Sequence, residues 1–382
     1  MFIHLEGHYM HTVRFFPIGN ADTCYIELDN GRRILFDFAD MRTPDDPDDK
    51  RCDLEKELRD ILGDNKYIDV VAFTHLDRDH CNRAKEVFYL EHAEKYQDDD
   101  RIKVKTMWVP AHAVLETGVV GQARTLRAEA RHRFLKGEGV RVFSRPDELD
   151  QFLIDREIEP AKRRNLISDA GTLCPEFNLE HDGVEFFVHS PFGKRDEENV
   201  VRVRNDDALF MQATFEVDKQ LTKMILSADV THEVIDDIVE VTRYHGRDSR
   251  LEWDINNIPH HCSYKSLSAE KGDDKTEPTE ASMWLYEEAG QHAGLLVSTS
   301  KPIPNDDDDK QPPHRQAAAY YKGVARKLCG EWVVSMEYPT ISKPEPLVIE
   351  IKNTGYKIRK QAPNIVIATP APRAGGDHES GI

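Results

Sequence analysis

The stretch that most constrains this chain is the almost wholly apolar run Ile68-Asp69-Val70-Val71-Ala72-Phe73, which leads directly into Thr74-His75-Leu76-Asp77-Arg78-Asp79-His80. Such a run reads as a strand buried on both faces, because only then is polar alternation lost. The strand therefore delivers four potential metal ligands, His75, Asp77, Asp79 and His80, at its carboxyl end. Carboxylates held so close together repel unless cations neutralise them, so metal is the economical explanation. In an extended segment residues 75 and 77 point to one side. A turn at Arg78 would carry Asp79 and His80 toward a second ion, so the spacing predicts two metals.

Around this centre the chain alternates strand and helix signals. Residues 11–39 read as paired strands with Asp29-Asn30-Gly31 as a hairpin turn, and Leu54, Leu58, Ile61 and Leu62 mark an amphipathic helix. Residues of about 84–180 read as a mostly helical, charged insertion with a strand near Lys105–Val109. Strand patterns resume at 184–189, 208–215 and 224–228, followed by a helix over 233–244, a strand ending at His260-His261, a helix over 316–328 and final strands near 332–336 and 347–351. The expectation is one α/β domain over residues 1–358, with a Pro/Ala/Gly-rich flexible tail over 359–382.

Composition narrows the class. A net charge of -19 argues against a whole-surface grip on nucleic acid, so any such contact has to be local. The local candidate is Arg124, Arg127 and Arg131, spaced i, i+3, i+7 on a predicted helix: either a phosphate-binding stripe or a solvated face. No run of about 18 apolar residues is present, so no membrane span is expected. The opening residues lack a basic start followed by an apolar run, which makes the cytoplasm the expected location. Six cysteines without a CxxC pair fit reduced thiols better than a disulfide framework or a thiolate zinc site.

The pattern His75-x-Asp77-x-Asp79-His80 resembles the metallo-β-lactamase superfamily, particularly its ComEC-like branch. Residues 11–22 (His-Thr-Val-Arg-Phe-Phe-Pro-Ile-Gly-Asn-Ala-Asp) look like that family's opening strand and Gly-x-Gly-Asp turn, with Asn20-Ala21 in place of the second glycine. Ile34-Leu35-Phe36-Asp37 is similar to its buried-strand aspartate, although the glycine that normally follows is absent. Asn205-Asp206-Asp207-Ala208-Leu209 resembles an Asn-rich lead into a strand, and Ile225-Leu226-Ser227-Ala228-Asp229 the strand whose terminal aspartate bridges two metals. His260-His261-Cys262-Ser263 resembles a His-His-Gly-Ser turn with cysteine at the glycine position.

The resemblance implies an αββα sandwich holding two divalent ions, zinc or manganese. His75, Asp77 and His189 would serve one ion; Asp79, His80 and either His260 or His261 the other; Asp229 would be shared. Asp229 could also cap the helix that follows, and His189 could be a structural histidine. One of His260 and His261 would bind metal while the other meets substrate. His314, after Pro312-Pro313, is either a proton donor to the leaving group or a surface histidine. Cys262 is either inert filler or a neighbour of the ions. His112 and His232 are weaker candidates. Two ions would activate water for in-line attack at phosphorus, so the expected function is a phosphodiesterase or nuclease acting on DNA, RNA or a nucleotide, with Asp79, His260 and His314 as its catalytic residues. The alternatives are hydrolysis of a non-nucleotide phosphoester or a lactone, and a scaffold that has lost catalysis.

Overall fold

The structure is a computed structural model and describes residues 10–192 and 204–360. The first half of the chain builds one sheet. It begins with β1 (His11–Phe15), β2 (Cys24–Glu27) and β3 (Arg33–Phe36), an antiparallel meander. Helix α1 (Leu54–Leu62) then crosses to β4 (Tyr67–Ala72), which lies parallel to β3. Leu54, Leu58 and Leu62 recur at i, i+4, i+8 and are buried; Asp53 caps the helix by accepting the Lys56 N–H.

Two short helices, α2 (Arg78–Cys81) and α3 (Ala84–Val87), follow β4, and then β5 (Lys103–Pro110) joins it in parallel. Beyond β5 come α4 (Ala111–Leu115), α5 (Gly121–Lys136), β6 (Val140–Phe143), α6 (Asp147–Ile154) and β7 (Ile167–Ser168). Strands β6 and β7 continue the parallel sheet. The segment expected as a helical insertion thus supplies three strands as well as helices. Parallel neighbours require helical crossovers, and alternation of short strands with helices gives a locally helix-rich composition.

The second half builds another sheet. After α7 (Leu179–Asp182), β8 (Val184–Ser190), β9 (Phe210–Val217) and β10 (Gln220–Leu226) form an antiparallel meander. Then α8 (His232–Tyr244), β11 (Trp253–Asn257), α9 (Glu280–Glu287), β12 (Gly290–Ser298), α10 (Arg315–Lys327) and β13 (Glu331–Val334) add parallel strands through helical crossovers. A two-stranded hairpin, β14 (Pro339–Thr340) and β15 (Lys343–Pro344), leads to β16 (Leu347–Lys352) and β17 (Gly355–Ile358), which return to the first sheet beside β1. The sheets have nine and six strands, ordered β17-β16-β1-β2-β3-β4-β5-β6-β7 and β13-β12-β11-β10-β9-β8.

Three clusters of buried side chains show how the layers stack. Val13, Phe15, Ile34, Phe36, Val70 and Ala72 of the first sheet pack with Phe186, Met211, Met224, Ile255 and Val297 of the second. Trp108 sits among them, its ring centroid 5.4 Å from Phe186 and 5.5 Å from Phe143 in edge-on contacts. Ile68, Val71 and Phe73 point the other way, into a cluster with α1, α5 and α6. On the far side of the second sheet, Ile225, Trp253 and Leu296 pack against α8, α9 and α10. Strand β4 is therefore apolar on both faces because it is covered on both. The expected tail lies, from residue 361 onward, outside the described residues.

Candidate metal centre

Parallel strands of both sheets end at the same edge of the molecule, the usual place for a site in α/β architecture. The loop after β4 carries His75 and Asp77, and α2 that follows it carries Asp79 and His80; the loop after β10 carries Asp229; the loop after β11 carries His260 and His261. Asp22 enters from the loop between β1 and β2. One potential ligand atom from each of Asp22, His80, Asp229 and His261 lies within 4.8 Å of the others, and all four residues are buried.

The individual distances could accommodate a cation. His80 Nε2 is 3.3 Å from Asp229 Oδ1, His261 Nε2 is 3.6 Å from the same oxygen, and His261 Nε2 is 3.3 Å from Asp79 Oδ2. Ligand bonds of about 2.0–2.2 Å around a tetrahedral ion would put neighbouring ligand atoms roughly 3.4 Å apart. His80 Nε2, His261 Nε2, Asp229 Oδ1 and His75 Nε2 are all buried without a hydrogen-bond partner. Orphaned buried polar atoms are rare because each carries a desolvation penalty. A divalent cation would satisfy this set, and imidazole with carboxylate and no thiolate suits zinc or manganese. The residues present therefore fit a metal ion.

The surrounding residues orient these rings. Asp37 Oδ2 faces His80 Nδ1 at 2.8 Å, and the Thr74 N–H and hydroxyl donate to the two Asp37 oxygens at 2.7 Å each. Nδ1–H of His80 donates to the carboxylate, which turns Nε2 toward Asp229. His261 Nδ1–H donates to the Thr299 carbonyl at 2.9 Å, which frees its Nε2 in the same way. Thr299 also hydrogen-bonds Asp22 through its hydroxyl. Asp37 adopts a left-handed backbone, φ 57°, which aspartate tolerates, whereas Phe38, at the position where the resemblance expects glycine, is not left-handed.

Electrostatics reinforce the picture. Burial alone would raise the Asp229 carboxyl, yet His261, His80 and His260 outweigh it and hold it well below the usual range. Burial disfavours a charged His80, but Asp229 and Asp37 overcome it and push its pKa well above normal. His261 is raised to about 9 against burial, by Asp229 and Asp79. His75 is pushed well below normal by burial and by the neighbouring His80, whose ring centroid is 3.9 Å away. The pocket attracts positive charge; metal binding would release the protons that otherwise supply it.

Of the sequence candidates, His80, Asp229 and His261 meet in this group, Asp79 touches it through His261, and His75 borders it. His260 lies at its rim, Nε2 3.9 Å from Asp229 Oδ2, with a side chain 21 % exposed. Asp77 Oδ2 is 3.6 Å from His75 Nε2, but its other oxygen is paired with Arg204. His189 is not brought to the cluster: Nε2 meets the Arg250 carbonyl at 2.8 Å and Nδ1 the Thr242 hydroxyl at 3.2 Å, so its histidine is structural. His314 Nδ1 accepts the Tyr264 N–H at 3.4 Å and Nε2 faces the Lys310 carbonyl at 3.3 Å, a backbone-tying role at the start of α10. The residues His260, His261 and Cys262 are all left-handed, φ 52°, 52° and 67°, so the turn survives cysteine, whose buried thiol points to the His314 carbonyl.

Two of the three arginines of the stripe have backbone partners. Arg127 donates to the Glu116 carbonyl at 2.7 Å, and Arg131 to the Val114 carbonyl at 2.6 Å and more weakly to Leu115 and Glu116. They cap the C-terminal carbonyls of α4, which a helix leaves unpaired. Arg124 is exposed. Asp22, Asp37, Thr299 and Arg204 escaped the sequence reading as site residues. For Asp22 the signal was its place at the end of the opening turn. No helix among the described residues is long and apolar enough to cross a membrane. No protein-family model matches the chain, and no curated protein matches it.

Proposed function

We propose that the protein is a metal-dependent hydrolase with a metallo-β-lactamase-type αββα sandwich, acting on phosphodiesters such as nucleotides or nucleic acid. The observation that carries this reading is the convergence of the buried Asp22, His80, Asp229 and His261, with unpartnered buried ligand atoms on His80, Asp229 and His261. When bound, divalent ions would supply Lewis acidity and a water of lowered pKa. The chain's own residues do the rest. Asp37 and the Thr299 carbonyl hold His80 and His261 in the required tautomers, and Asp229 sits between the two rings. Asp79, a third exposed, stands on the open side, its carboxyl at about 2 because His261 and His80 outweigh burial; it stays ionised to orient an attacking water. His260, kept neutral chiefly by burial and partly exposed, is positioned to hydrogen-bond a substrate oxygen.

With Arg127 and Arg131 spent on α4 carbonyls, a compact phosphoester, nucleotide or otherwise, is favoured over a long polyanion gripped by that helix. The test is hydrolysis of single- and double-stranded DNA, RNA, cyclic dinucleotides and small phosphodiesters by metal-replete protein and by Asp229→Ala. Turnover by the wild type alone is expected. Normal metal content with no turnover on any substrate would favour the scaffold reading.

A further inference from the structure

Asp77 differs from its neighbours in the cluster, because its carboxylate is engaged by a protein cation. Arg204 Nη1 pairs with Asp77 Oδ1 and reaches the Leu76 carbonyl at 3.4 Å. The rest of the guanidinium is clamped by Glu116 Oε1, which accepts from Nε at 2.8 Å and from Nη2 at 2.5 Å. Glu116 is backed in turn by His112, whose Nε2 is 3.3 Å from Oε2. The planar fork is thus fixed on Asp77, whose other oxygen faces His75, the residue that sequence reasoning gave to the same ion. His189, the third ligand expected for that ion, is committed to Thr242 and Arg250. Among the described residues, the group of convergent ligands is Asp22, His80, Asp229 and His261, and it includes neither His75 nor Asp77.

We propose that the Arg204 guanidinium is a built-in cation that competes with a second metal ion for Asp77. The protein then holds one ion tightly among Asp22, Asp79, His80, Asp229 and His261, and admits a second beside His75 and Asp77 only when Arg204 releases its carboxylate. Like charges exclude one another from a shared partner, and two charge-assisted N–H bonds to Glu116 Oε1 keep the arginine from leaving freely. This inference rests on the metal-binding reading above and specifies the number of ions and what controls it.

Titration of the full chain with buffered free Zn2+, read as ions per chain after equilibrium dialysis, tests it. In the wild type one ion is expected to bind first and a second only at clearly higher free metal. Arg204→Ala should lower the midpoint of the second step by about tenfold and leave the first unchanged. Arg204→Lys, which keeps the charge but loses the fork, should fall between. Glu116→Gln, which loosens the clamp without touching Arg204, should shift the second step in the same direction by less and serves if Arg204→Ala does not fold. Two ions filling together in the wild type, or a second midpoint indifferent to both positions, overturns the proposal and leaves the hydrolase reading intact. A wild type that binds no ion overturns both.

Discussion

Replacing Asp37 by asparagine isolates the orientation of His80 from its position. Asparagine keeps the volume and tolerates the left-handed backbone at φ 57°. The side-chain oxygen can still accept the Thr74 N–H, now made at 2.7 Å to Oδ1. The amide nitrogen then replaces Oδ2, which meets His80 Nδ1 at 2.8 Å and the Thr74 hydroxyl at 2.7 Å. An NH2 group there donates to Nδ1, so the imidazole carries its proton on Nε2, the atom that faces Asp229 at 3.3 Å. A protonated Nε2 cannot be a ligand. Loss of an orienting carboxylate typically weakens metal affinity about 10–100-fold, or roughly 1.4–2.7 kcal/mol. The assay is Zn2+ affinity by competition with a chromophoric chelator, with circular dichroism to confirm the fold. An affinity within about twofold of wild type, well below the expected tenfold minimum, would refute the tautomer argument.

Other consequences follow from residues placed away from the cluster. Arg131→Ala should lower stability by about 1–2 kcal/mol, measured by urea unfolding, because the Val114 and Leu115 carbonyls lose the arginine's N–H donors while the Glu116 carbonyl keeps Arg127, and turnover of small phosphodiesters stays unchanged. Glu129→Gln breaks the buried pair with Arg133, 2.6 Å apart, and should destabilise by about 3–5 kcal/mol; a change below about 1 kcal/mol would mean the pair is solvated in solution. His189 is kept neutral mainly by burial, its pKa lowered to about 4. Between that value and about 6.5 the unfolded chain takes up a proton that the native state refuses, so stability is present above pH ~6.5 and falls as pH drops toward 4. His189→Asn should flatten that acid slope and leave bound metal untouched; loss of metal would return His189 to the ligand set.

How much of this was legible in the sequence depends on where each partner lies. The apolar run into His75–His80 announced both β4 and the site, because a doubly covered strand and a ligand cluster each have a local signature. Asp229 and His261 were accessible through strand-end motifs. The choice of His261 over His260 was not, since it depends on which ring reaches the Thr299 carbonyl. Asp37 and Thr299 act through hydrogen bonds to distant segments, which leave no periodic trace. The carbonyl partners of Arg127 and Arg131 were not legible, because backbone acceptors are identical at every residue. His189 ends a strand like a ligand would, but packs between Phe187 and Phe210 on the helix-covered side of its sheet. Strands β6 and β7 were hidden by their length, four and two residues, among longer helices.

The most direct measurement is anomalous diffraction from crystals of the metal-replete protein, collected at the absorption edge of the bound element. The account expects a peak bounded by His80 Nε2, His261 Nε2 and the carboxylates of Asp229 and Asp79 or Asp22, at ligand distances of about 2.0–2.2 Å. A peak elsewhere, or none after soaking in zinc and in manganese, would contradict it.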